Sequence, residues 1–140
     1  SKVTNMEYMF AYIGVTSLDL STFDTSNVTK MNEMFFNSAN LQELNVSSFD
    51  VSNVTTMVGM FNNCPSLQEL DLSSFDTRNV RLMGSMFAYC SKLTTIYVSN
   101  KWSTSGLNYN ANQSTMFIGD GRIMGYLGSK YKTKHLKTRQ

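Results

Sequence analysis

Three aspartates, Asp24, Asp50 and Asp76, recur at intervals of 26 residues, each directly after a phenylalanine. Carboxylates repeated in this way could line up to bind calcium. That ion takes about six to eight oxygens, however, and each turn here offers one Asp with a few Ser or Thr. Capping the backbone that follows accounts for the aspartates fully. Cys64 and Cys90 are also 26 apart. In neighbouring strands their Cα atoms would lie about 5 Å apart, a distance that permits a disulfide. Side chains pointing in parallel make that bond awkward, and Ser38, one interval earlier, indicates a site that requires a small side chain. Two buried thiols are expected. The single histidine, His135, has no patterned cysteine or carboxylate beside it, so neither a Ser/His/Asp nor a Cys/His arrangement can be assembled from neighbours. No Cys-x-x-Cys, His-x-x-x-His or phosphate-binding glycine loop occurs. These residues point away from an enzyme, and they suggest no cofactor and no metal.

The intervals belong to a longer pattern that must position these residues. Val-x-x-Met-x-x-Met-Phe occurs at Val3–Phe10, Val28–Phe35, Val54–Phe61 and Val80–Phe87, at offsets of 25, 26 and 26, and takes up eight of the ten methionines. A second element follows each copy: Val15-x-x-Leu18-Asp19-Leu20, Leu41-x-x-Leu44-Asn45-Val46, Leu67-x-x-Leu70-Asp71-Leu72 and, degraded, Leu93-x-x-Ile96-Tyr97-Val98. Its alternation predicts a short strand with one buried face. Val28, Met31, Met34 and Phe35 fall at i, i+3, i+6 and i+7, which predicts one face of a short helix. Asp24-Thr25-Ser26-Asn27 would cap it. A single unit buries too little apolar surface to offset the entropy of ordering it. Stability must come from stacking, with Met31/Met57/Met83, Met34/Met60/Met86 and Phe35/Phe61/Phe87 forming ladders in a shared core. Methionine suits such a core because its flexible thioether fills irregular gaps.

If Leu18 and Leu20 point inward, Ser17 and Asp19 point outward, as do Glu43/Asn45, Glu69/Asp71 and Thr95/Tyr97. These eight residues form a small acidic strip ending in an aromatic, a candidate protein-binding face whose bland alternative is an ordinary solvent-facing sheet. The chain's net charge of +2 is unevenly spread. Residues 1–119 hold six Lys/Arg against nine Asp/Glu, a net −3; residues 120–140 hold six Lys/Arg against Asp120 alone, a net +5. Within that segment Lys130, Lys132, Lys134, Lys137 and Arg139 are interleaved with Tyr131 and could hold a polyanion by counterion release. A linker or solubilising role fits them equally. The longest apolar runs are too short to span a membrane.

The pattern Leu-x-x-Leu-Asp-Leu-Ser-Ser-Phe-Asp-Thr-x-Asn-Val-x-x-Met-x-x-Met-Phe-x-x-Cys resembles the 26-residue repeat of the BspA-like leucine-rich-repeat proteins of bacterial surfaces, which is also seen in mycoplasma lipoproteins. The resemblance covers residues 3–98. It implies an α/β fold, a leucine-rich-repeat-like solenoid displayed outside the cell, frequently linked to adhesion and without catalytic activity. The usual crossover rule makes such a coil right-handed. Three regions are expected: about four repeats over 1–98 with the first one partial, a degenerate capping segment over 99–128 carrying Met116-Phe117, and a basic tail over 129–140. Ser1 starts directly in patterned sequence, so the chain reads as a piece of something longer. Signal, anchor and any earlier repeats covering the first copy would lie outside it. The expected function is an extracellular interaction module that adheres to a protein or glycan partner. The alternatives are a spacer presenting another domain, and polyanion binding through the tail. Nucleic acid is not the expected partner, and nothing in the sequence bears on oligomeric state.

Overall fold

The structure is a computed structural model that describes residues 2–108, 116 and 136–138. Four short strands fall in the alternating segments: β1 Ser17–Asp19, β2 Glu43–Asn45, β3 Glu69–Leu72 and β4 Thr95–Val98. A fifth, β5 Leu136–Thr138, lies within the segment expected to be a basic tail. The strands make two small parallel sheets, β1-β2 and β3-β4-β5.

The expected α/β solenoid with short helices is overturned. Among the described residues there is no helix, and no single sheet runs through the copies: Leu18 pairs with Leu44 and Leu70 with Ile96, but Leu44 does not pair with Leu70. The segments read as helices are chains of tight turns. Each copy places two residues in the left-handed region, four apart: Tyr8 and Tyr12, Glu33 and Asn37, Gly59 and Asn63, Ser85 and Tyr89, with φ between 54° and 61°. A left-handed residue cannot continue a right-handed helix. Alternate amides point to the following copy instead of back along their own segment. Met31, Glu33, Phe35 and Asn37 donate to the carbonyls of Thr56, Val58, Met60 and Asn62 at 2.8–3.0 Å. Met57, Gly59, Phe61 and Asn63 donate in the same way to Leu82, Gly84, Met86 and Ala88. An apolar i, i+3, i+6, i+7 spacing serves this backbone as well as a helix, because both turn the same side chains inward.

The interior is one cluster. Val28, Val54 and Val80, Met31, Met57 and Met83, Met34, Met60 and Met86, and Phe35, Phe61 and Phe87 are all fully buried in it. The rings of Phe10, Phe35, Phe61 and Phe87 stack in a column, with centroids 5.8, 5.3 and 5.7 Å apart. Isolated parallel bridges join Asn5, Lys30, Thr56 and Leu82 across all four copies. Ser38 Oγ, Cys64 Sγ and Cys90 Sγ each donate to the carbonyl of the column phenylalanine one copy earlier, at 3.0, 3.1 and 3.1 Å. This shared bond explains why the position takes a small donor side chain. The first copy is less enclosed: Val3, Met9 and Val15 are over 40% exposed, whereas their counterparts Val28, Met34 and Leu41 are fully buried. Beyond β4, Asn108 donates to the Arg81 carbonyl, and the Met116 carbonyl accepts from Phe87 at 2.9 Å.

Candidate functional site

The strand face is interrupted between the second and third copies. Every other neighbouring pair among β1 to β4 is in parallel register, one repeat apart. The same register would set Glu43 opposite Glu69 and Asn45 opposite Asp71. In the pairs that do form, Ser17 faces Glu43, Asp19 faces Asn45, Glu69 faces Thr95 and Asp71 faces Tyr97. The unformed pair is thus the one that would place acid directly against acid. Like charges at such positions are destabilising by about 0.2–1 kcal/mol, which is enough to open strands of three or four residues.

The break is bounded on both sides. Ser66 Oγ donates to the Ala39 carbonyl at 2.7 Å before the strands, and Ser74 Oγ donates to the Val46 carbonyl at 3.1 Å after them. Between these ties lies an open groove of about 450 Å³ lined by Gln42, Glu43, Leu44, Gln68, Glu69, Asp71 and Tyr97, together with Ser66. Asn45, Ser47 and Ser73 line its continuation toward Ser74. Three carboxylates, two primary amides and a phenol therefore edge a space floored in part by half-buried Leu44. Such a groove can accept hydrogen bonds and hold positive charge.

The sequence-predicted face is only partly assembled here. Glu43, Glu69, Asp71 and Tyr97 meet in the groove and Asn45 lies in its extension, whereas Ser17 and Asp19 are exposed on β1, away from it. Thr95, expected to face solvent, is buried at 9% exposure, and Tyr97 is half-buried. β5 continues the sheet on that side, with Tyr97 in register with Lys137. Lys130, Lys132, Lys134 and Arg139, like His135, lie outside the described residues. Gln42, Gln68 and Ser66 were not expected. The signal for them was Glu43 recurring as Glu69, since a repeat that sets a charge upon itself cannot pair there.

Several aspartates and one asparagine hold their own backbone. Asp19, Asn45 and Asp71 each accept the amide two residues on, from Ser21, Ser47 and Ser73, at 2.9–3.0 Å. Asp24 and Asp50 do the same for Ser26 and Ser52 and also take their hydroxyls at 2.6 Å. Asp76 accepts the Arg78 amide at 3.2 Å and also grips its guanidinium in an ion pair of 2.7 Å. The aspartates therefore cap turns and not the expected helices. Hydrogen bonds from Ser21 and Ser26 hold Asp19 and Asp24 below the ordinary carboxylate pKa, and the Arg78 hydrogen bond does so for Asp76. Burial pushes the Cys64 thiol up to about 12, and both cysteines are thiols in the core. Among the described residues, no three of His, Cys, Asp and Glu gather as a metal-binding group, and no helix is long and apolar enough to cross a membrane.

Residues 4–125 match the family described as Mycoplasma protein of unknown function, DUF285. The chain belongs to this family. The match extends past the repeats as read from sequence, to residue 125 within the segment 99–128 expected to cap them. No curated protein and no solved structure matched the chain.

Proposed function

We propose that the DUF285 chain is a non-catalytic interaction module of a bacterial cell surface, of the BspA-like repeat type, which binds an extracellular protein or glycan partner in the groove between β2 and β3. The observation that supports this reading is the break itself. Two strands that the repeat would pair do not pair, and Glu43 and Glu69 stand with Asp71, Tyr97 and two glutamines around a bounded space. Open strand edges with alternating side-chain positions are a recurrent mode of peptide capture, and carboxylates steer a basic partner toward them. The family's placement among mycoplasma proteins and the repeat's resemblance to surface proteins support an extracellular setting.

The test uses adhesion to immobilised matrix protein and to host cells. The double variant Glu43→Lys/Glu69→Lys keeps like charge against like charge, so the groove stays open while its sign reverses. Adhesion that is lost in this variant with the fold intact supports the reading. Adhesion that survives it sinks the groove, and no saturable adhesion by the unaltered chain would favour a spacer role. Retention on heparin that falls with salt and vanishes on truncation after Gly128 would instead place binding in the basic tail.

A further inference from the structure

The junction between the second and third copies is built unlike its neighbours on both of its sides. Just after β1 and β3, Thr25 and Thr77 are fully buried, and each clamps the backbone of the next copy. Thr25 Oγ1 donates to the Asp50 carbonyl at 2.9 Å and accepts the Asp50 amide at 2.8 Å. Thr77 Oγ1 does the same for Ser103, at 2.9 and 2.7 Å. The equivalent residue after β2 is Val51, equally buried, with no hydroxyl to offer the Asp76 backbone. The missing clamp thus falls at the junction whose strands β2 and β3 do not pair. Ser66, Ser74 and Asn79 reach across it there by side-chain bonds to the Ala39, Val46 and Ser52 carbonyls.

The Met/Phe side of the same junction adds side-chain ties of its own. Asn32 Oδ1 accepts from Thr56 Oγ1 at 2.6 Å and from the Val58 amide at 2.8 Å. Asn63 Nδ2 donates to Asn37 Oδ1. That amide pair belongs to this junction alone, because the same position holds Tyr12 in the first copy and Tyr89 in the fourth. Asn32 is followed at its own position by Val58 and Gly84, which have no polar side chain to repeat its bonds. The rings fan in the same sense. Phe35 and Phe61 lie 5.3 Å apart, whereas Phe49 and Phe75, beyond the strands, lie 6.3 Å apart.

We propose that this junction is a hinge. Its pivot is the Met/Phe side, tied by Asn32, Asn37 and Asn63, and its free edge is the strand side, where Val51 withholds the clamp. The bodies on either side are the first two copies, held by β1–β2 pairing and Thr25, and the last two, held by β3–β4 pairing and Thr77. Packed units of this kind move against each other where the fewest bonds must break. Rotation about the pivot changes the width of the β2–β3 groove and leaves the phenylalanine column stacked. The hinge rests on the bonds of one junction and stands whether or not the groove binds a partner.

Pulsed electron spin resonance on the full chain tests this. Cys64→Ser/Cys90→Ser, which copies Ser38, removes the native thiols. Nitroxide labels on Thr22→Cys and Asn100→Cys, both exposed positions, report the strand side. Labels on Tyr12→Cys and Tyr89→Cys, also exposed, report the Met/Phe side, and both pairs span the junction. The first pair should give a broad distance distribution and the second a narrow one. Val51→Thr should narrow the first to match the second and slow exchange of the Asp76 amide about tenfold, the scale of one added hydrogen bond. A hydroxyl buried there without a partner would instead lower the melting temperature, and that result counts against the proposal. Thr77→Val, which unclamps the next junction, should broaden the first pair further. Equal widths in the two pairs, or a first pair indifferent to both substitutions, would overturn the hinge.

Discussion

On the Met/Phe side the four copies are joined without interruption, whereas on the strand side they part between the second and third. The bridges Asn5–Lys30–Thr56–Leu82 and the column Phe10–Phe35–Phe61–Phe87 cross every junction; the strands cross only the first and third. The difference shows which side carries the stacking. Dry, identical side chains hold a junction even where its strands have separated. The strand side is thereby relieved of a structural duty and can carry a groove.

The largest expected effect breaks the continuous side. Phe61→Ala removes the ring at the middle of the column and should cost about 3–5 kcal/mol in denaturant unfolding. Leu44→Ala on the open side, where the side chain is only half-buried, should cost under about 2 kcal/mol. Equal losses would abolish the contrast. Next, Gly59→Ala places a Cβ at φ +61° and 3.0 Å from Glu33 Cγ, which should cost about 1–2 kcal/mol, seen as a lower urea midpoint. Smaller again is the single change Glu43→Lys, which would turn the like pair into an opposite one. It should gain up to about 1 kcal/mol and slow hydrogen exchange at the amides of β2 and β3 as they pair. Unchanged exchange there would remove charge as the cause of the break.

The smallest effect is acid sensitivity. Asp19, Asp24 and Asp76 have folded-state pKa values below their ordinary ones. Their stabilisation is therefore present above about pH 4 and is lost as pH falls through the lowered values. Asp19 and Asp24 are exposed and Asp76 is half-buried at the surface, so only a shallow decline in thermal stability is expected. Asp76→Asn should flatten it, because Asp76 is the one of the three that holds a cation, Arg78.

Which residues share the interior was legible in the sequence, since Met31, Met57, Met83 and their neighbours recur at fixed offsets and are buried together. The path of the backbone between them was not. Apolar spacing reports which side chains turn inward, and tight turns meet that demand as well as a helix does. The decisive positions, held by Tyr8, Glu33, Gly59 and Ser85, share no residue type that would announce a left-handed conformation. The four outward acids were legible as a strip. That three of them, Glu43, Glu69 and Asp71, edge a groove was hidden until Glu43 was set against Glu69 across a junction. Thr95 is buried where alternation along β4 put it outside, and the pairing of β4 with β5, 40 residues further along the chain, carries no repeat signal.

The hydrogen bonds that tie copy to copy have a kinetic consequence. Glu33 reaches Val58 and Gly59 reaches Gly84, so each docking step closes a loop of nearly the same length. Loop-closure entropy depends on that length and not on how much chain has already folded. A copy leaving the ribosome thus meets a finished edge one repeat behind it, and an array of such copies can assemble at the pace of its synthesis.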